Sequence, residues 1–242
     1  MAEDFSFIEG KLLSGIIYPE FFCLNQEDLV LSVGCGEGPQ AITYKGRYKE
    51  MIGIDIQDGR LKVAERAMRA YGINNFKTVL GNVEKMPFES NMFDKILVVD
   101  LIEHVLNPKK VIQEMHRVIK DDGQLMITFP MMHDVYTNFA SWVGKNILRR
   151  KKHKKRGWDP NIHHQHFNPH EWVKMMEDEG FVFVKSRGST LFPPFHYIFG
   201  WPRFWFSNKY IHAVDNFFSR LLLIKYLGET LICVFRKNKA YE

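Results

Sequence analysis

Disulfide chemistry is the first thing this sequence lacks. Its three cysteines, Cys23, Cys35 and Cys233, are odd in number and far apart, with no CxxC pair to hold zinc or exchange thiols. That usage fits a reducing compartment. Long apolar runs are missing as well, since no stretch approaches the roughly 18 uninterrupted apolar residues that a membrane-spanning helix needs. Met1 to Phe7 carries acids in place of the basic segment that opens a signal peptide. A cytoplasmic chain is the expectation. Internal repeats and low-complexity linkers are absent too, and 242 residues are long for one core but short for two full domains. One domain over residues 1–242 is therefore expected, with an N-terminal helix over 1–27 and inserted cap segments at 131–168 and 189–228.

Acidic residues are missing from one place in particular. Lys145, Arg149, Arg150, Lys151, Lys152, Lys154, Lys155 and Arg156 follow one another without an Asp or Glu, while the whole chain has a formal charge of only +5. The basicity is one patch and the remainder is net negative. This excludes a protein coated in positive charge for general nucleic-acid binding. What is present is an ordinary globular composition, 45% hydrophobic and 25% charged, which supplies a sizeable core.

Apolar residues at helical spacing (Phe5, Ile8, Leu12, Leu13, Ile16, Ile17) read as a first helix ending near Pro19. The pattern then alternates short apolar strands with amphipathic helices, the signature of a parallel sheet covered on both faces. Strands are expected at Leu29–Val33, Met51–Asp55, Phe76–Leu80, Lys95–Val99 and Leu125–Phe129, with two more at Phe181–Ser186 and Leu231–Arg236. Helices are expected near Pro39–Gly46, Gly59–Gly72, Pro108–Lys120 and Pro169–Glu179. The last has Asn168 as N-cap, Pro169 in the first turn and Glu171 at the capping-box position.

The first strand runs into Gly34-Cys35-Gly36-Glu37-Gly38 and a helix opened by Pro39. Such a turn needs glycine so that backbone can come close to a ligand with no Cβ in the way. Asp55, at the end of the next strand, is placed to accept both hydroxyls of a ribose. Together they indicate a cofactor containing a nucleoside. A nicotinamide-dependent oxidoreductase uses the same geometry, but the glycines here are spaced GxGxG, and Gln40 stands where its fingerprint has Gly or Ala.

Leu80-Gly81-Asn82-Val83-Glu84-Lys85-Met86-Pro87-Phe88 and Phe93-Asp94-Lys95-Ile96-Leu97-Val98-Val99-Asp100 follow in order. With these segments the chain resembles class I S-adenosylmethionine-dependent methyltransferases, in particular the small-molecule group that includes the quinone-biosynthesis enzymes. The resemblance spans roughly Leu29 to Gly180. It implies a Rossmann-like, doubly wound, mostly parallel seven-stranded sheet with helices on both faces and an inserted cap, and S-adenosyl-L-methionine as cofactor. It further implies that Gly34, Cys35, Gly36 and Gly38 line the methionine end and the sugar, that Asp55 holds the ribose, and that Ile56 packs on the adenine. Relatives commonly have an acid after the third strand. This chain has Asn82, whose amide either donates to a ring acceptor or accepts from the exocyclic amine, followed by Val83, which supplies a backbone N–H.

Asp100-Leu101-Ile102-Glu103-His104-Val105 resembles the turn beneath the sulfonium. Asp100, Glu103 and His104 have i, i+3, i+4 spacing and can share one side of a helical turn. Three readings stand. Asp100 meets the cofactor's amino group while the other two fix the loop; or His104 is a general base for an acceptor hydroxyl; or the three bind a divalent metal. The turn lacks the Asn/Asp-Pro-Pro-aromatic pattern of enzymes that methylate base amines, which argues against nucleic acid as the acceptor.

His163, His164, His166 and His170 crowd into one segment but give no closed four-ligand zinc pattern, and His133 follows the fifth strand. One of them can reach an acceptor, although loop-fixing or solvent-facing roles are the ordinary reading of each. The aromatic stretch over 191–227 ends in an amphipathic stripe (Ile211, Val214, Phe217, Phe218, Leu221, Leu222) that reads as core or as a homodimer face. Beside the cations at 149–156 it also suits an anionic membrane surface and a lipid-like acceptor such as a prenylated ring. The expected activity is methyl transfer to an O or C atom of a small amphipathic acceptor. The alternatives are the oxidoreductase and a non-catalytic cofactor-binding scaffold.

Overall fold

The computed structural model describes residues 19–130, 167–189 and 230–239, with the single positions Ile8 and Phe217. The expected cap segments, the basic run, the aromatic stretch, and His133, His163, His164 and His166 lie outside the described residues, apart from the ends of those segments and Phe217.

The most apolar strands take the centre of a seven-stranded sheet ordered β3-β2-β1-β4-β5-β7-β6. These are β1 (Leu29–Val33), β2 (Glu50–Asp55), β3 (Phe76–Leu80), β4 (Phe93–Val98), β5 (Ile119–Pro130), β6 (Phe181–Ser189) and β7 (Thr230–Lys237). The first five are mutually parallel, and β7 runs antiparallel to both of its neighbours. The helices are α1 (Pro39–Thr43), α2 (Asp58–Ala70), α3 (Pro108–Val118) and α4 (Pro169–Asp178). A 3₁₀ turn spans Ile102–His104.

Both faces of the sheet are covered, as near-continuous apolar strands require. One face buries Leu31, Val33, Ile96 and Ile127 beneath α3 and α4, where Trp172 stacks on Phe129 with centroids 5.3 Å apart. The other buries Val30, Leu97 and Met126 with Ala41 of α1, with Tyr44 just past its end, and with Phe21 and Phe22. The capping box at α4 forms as expected, with the Asn168 side chain accepting from His170 and Glu171 and the Glu171 side chain accepting from the Asn168 N–H.

Three expectations change in their bounds. Ile8 is helical, while residues 19–27 are turn, bend and irregular chain, which agrees with a first helix ending near Pro19 and not with one running to residue 27. Pro19 has no N–H to continue a helix, and the Phe22 carbonyl accepts from the Tyr44 hydroxyl at 2.7 Å instead of from a helical N–H. Helix α1 stops at Thr43, short of Gly46. Strand β5 begins at Ile119 rather than Leu125, because Gln124 and Lys120 are tied across to Lys95 and Asp94 at 2.8 and 2.7 Å.

Candidate active site

Strands β1 and β4 are neighbours whose onward connections leave in opposite directions, and the loops at their carboxyl ends form the crevice where such sheets bind ligands. The β1 loop has Gly34, Gly36 and Gly38 all in left-handed backbone, at φ 64°, 53° and 80°. A Cβ on Gly34 would stand 2.6 Å from Leu101 Cδ1, and one on Gly36 would stand 2.6 Å from Arg60 Nη2. The left-handed backbone favours glycine at both positions, and the Leu101 side chain crowds Gly34 as well, whereas the contact at Gly36 is the movable end of a long side chain. Cys35 faces the other way. Its side chain is buried against Phe76 and the bare Cα of Gly53, and its N–H donates to Ile54 O at 3.1 Å. Burial pushes the thiol pKa up strongly, with the Asp55 charge adding to it, so Cys35 is no nucleophile; it shapes the loop from behind.

Asp55 ends β2 beside this loop and is only 7% exposed. Its Oδ2 accepts from Gly36 N and its Oδ1 from Gln57 N, both at 2.9 Å. The carboxylate is thus held rigid, and each oxygen keeps a lone pair for another donor. Beyond it Ile56 is 68% exposed, the most solvent-facing apolar side chain of this edge after Leu106 at 76%. Asn82 is exposed, and its Oδ1 accepts from Glu84 N at 2.8 Å, which fixes the amide with its NH₂ turned away from that turn. Val83 is buried beneath it. Glu84 Oε1 accepts from Asn107 N at 2.9 Å and ties this loop to the one after β4.

The Asp100 turn departs from a simple helical spacing. Asp100 stands ahead of the 3₁₀ turn in left-handed backbone, φ 49°, uncommon for a residue other than glycine. Thr128 of β5 holds it there by accepting from Asp100 N at 2.9 Å, and the Thr128 hydroxyl lies 3.5 Å from Asp100 Oδ1. Glu103 is buried, and its Oε1 is 3.7 Å from Nε2 of the half-buried His104. Among the described residues no three or more His, Cys, Asp or Glu side chains converge as a metal site, so Asp100, Glu103 and His104 do not form one together. His170 is exposed at the α4 N-terminus.

Sequence reasoning missed Thr128, Leu101 and Arg60. Thr128 meets Asp100 only through the β4–β5 register that sets Val98 against Ile127. Arg60 had a signal available, its place in the first turn after Asp55. Two further oxygens flank the glycine loop. Ser32 Oγ and Gln40 Oε1 are buried with no hydrogen-bond partner among the described residues. Buried polar atoms of this kind call for a partner, and a ligand's polar end supplies one.

Residues 31–127 match the family model described as a methyltransferase domain. The chain is 27% identical over 172 residues to a demethylmenaquinone methyltransferase of Geobacillus kaustophilus, covering 66% of this chain and 73% of that one. Among solved structures, a protein of Bacillus subtilis superposes with a TM-score of 0.59 at 20% identity, over 97% of this chain and 100% of that one. An S-adenosylmethionine-dependent methyltransferase of Methanosarcina mazei does so with a TM-score of 0.60 at 19% identity, over 92% and 98%. These two show the fold, and no helix among the described residues is long and apolar enough to cross a membrane. The bare glycine cradle, the lone pairs left on Asp55 and the two buried oxygens beside the loop fit S-adenosylmethionine, a nucleoside with a short charged tail. Residues 31–127 carry a methyltransferase domain, and the chain is similar to the class I S-adenosylmethionine-dependent methyltransferases, among them the enzymes of quinone biosynthesis.

Proposed function

We propose that the methyl group goes to an O or C atom of a small amphipathic acceptor, a prenylated ring being the class that fits best. One observation carries this, the similarity across two thirds of the chain to an enzyme whose acceptor is demethylmenaquinone. S-adenosylmethionine supplies a methyl group on a positively charged sulfur that departs neutral. The protein's part is to position, to exclude water and to manage a proton.

In this reading Asp55 accepts hydrogen bonds from the ribose hydroxyls on the lone pairs that Gly36 and Gln57 leave open. Ile56 covers one face of the adenine. Asn82 turns its NH₂ to a ring nitrogen, because its oxygen is already occupied by Glu84 N, and the Val83 N–H meets the adenine edge. Gly34, Gly36 and Gly38 let the methionine end and the sugar lie on bare backbone, and Asp100 accepts from the amino group. His104 takes the acceptor's proton. The buried Glu103 carboxylate 3.7 Å away stabilises the imidazolium that results.

The test is turnover of a demethylated prenyl quinol with labelled cofactor, beside calorimetry with S-adenosylhomocysteine. His104→Gln is expected to lower kcat by about a hundredfold or more while leaving adenosylhomocysteine affinity unchanged. An unchanged kcat removes the base role. No product from any prenylated ring, with adenosylhomocysteine binding intact, removes the acceptor class.

A further inference from the structure

The carboxylate of Asp55 leaves half of the ribose chemistry unanswered. Each sugar hydroxyl has one proton to give and lone pairs to fill, and a carboxylate can only accept. Asp55 therefore satisfies the hydroxyl protons, and the hydroxyl oxygens still need a donor at the same place.

Arg60 stands there. Helix α2 begins three residues after Asp55, and its first turn brings the half-buried Arg60 side chain back over the glycine loop. The guanidinium lies along Gly36, with Nη2, Cζ and Nε at 2.6, 2.8 and 3.3 Å from where a Cβ of that residue would be. Gly36 is also the residue whose N–H binds Asp55 Oδ2. Cation and carboxylate thus flank one glycine, and the buried Cys35 thiol beneath them senses both charges. Lys62, the next basic residue of α2, pairs with Asp58, its Nζ 2.6 Å from Asp58 Oδ2. We propose that Arg60 is a second ribose ligand, its guanidinium donating to the oxygens of the hydroxyls that donate to Asp55. The proposal rests on the reading that Asp55 holds the ribose. Five N–H donors in a planar fork suit a vicinal diol better than a single ammonium does.

The experiment is calorimetry on the full chain with three probes. These are S-adenosylhomocysteine, 5′-methylthioadenosine, which keeps the adenosine but lacks the amino-acid end, and the 2′,3′-dideoxy form of methylthioadenosine. Arg60→Met is expected to weaken the first two by the same factor, about tenfold, as for one lost charge-assisted hydrogen bond. The dideoxy probe should bind wild type and Arg60→Met alike, and Arg60→Lys should recover part of the loss. An unchanged melting curve establishes that Arg60→Met folds. Affinities within twofold of wild type for both ribose probes overturn the proposal, as does an equal loss with the dideoxy probe. If Asp55→Asn still weakens binding in those cases, the ribose reading stands and Arg60 alone falls. If the wild type binds no adenosine probe, both fall.

Discussion

At the scale of single residues, the site is built from positions where only one kind of side chain fits. Gly34 combines φ 64° with the Leu101 side chain 2.6 Å from the missing Cβ. Gly34→Ala is expected to cost about 1–3 kcal/mol in chemical denaturation. Adding Leu101→Ala should relieve the steric share of that cost relative to Leu101→Ala alone, and the left-handed strain should stay. A full recovery would show that space alone dictates the glycine. Asp55 could be read from the sequence because a carboxylate closing an apolar strand, one strand past a glycine loop, has little to do there but meet a ligand or the loop itself. Thr128 could not. Its partner Asp100 is 28 residues away, and nothing local to either residue announces the 2.9 Å bond between them.

At the scale of elements, what was legible depended on how local the signal is. The α4 cap was complete in sequence, since Asn168, Pro169 and Glu171 act within one turn. Asn168→Ala is expected to lower stability by about 1 kcal/mol in equilibrium unfolding, and Asn168→Ser to recover most of it. Strand β5 was legible only in its second half. Asp121-Asp122-Gly123 is turn chemistry by composition, and the strand continues through it because Lys120 and Gln124 have partners on β4. The Asp100 turn departs from its spacing for a related reason. Spacing alone allows one helical face, whereas Thr128 holds Asp100 in a conformation that precedes the helix.

At the scale of the whole molecule, the order of the last two strands was written in the sequence in a form that is easy to overlook. Strand β7 sits between β5 and β6, and its Leu231 to Phe235 are all buried, an unbroken apolar run suited to an interior strand. Strand β6 mixes the buried Phe181 and Arg187 with the exposed Val184 and Lys185, as an edge strand does. Two carboxylates, Asp94 at the amino end of β4 and Glu114 on α3, contribute to the acid limb of stability. Burial pushes the Asp94 carboxyl up, but the Lys120 ammonium at 2.7 Å and the Leu29 N–H outweigh it and hold the pKa below its usual value. The bonds from Arg117, chiefly, do the same for Glu114. A carboxyl whose pKa is lower folded than unfolded stabilises fully above its unfolded value, near ~4, and that contribution fades as pH falls through the folded value. Denaturation midpoints should therefore fall as pH drops below about 4. Asp94→Asn and Glu114→Gln should be less stable at pH 7 and show a flatter acid limb.

The backward turn of Cys35 has a practical side. Of three free thiols, Cys35 lies sealed behind the loop by Gly53 and Phe76, Cys233 is buried in the central part of β7, and Cys23 alone faces solvent. A maleimide dye applied to the native protein should attach at one position and leave the methyl-donor loop untouched. The chain thus comes with its own attachment point for a fluorescent reporter, on a segment that packs beside the sheet, and no cysteine has to be engineered in or out.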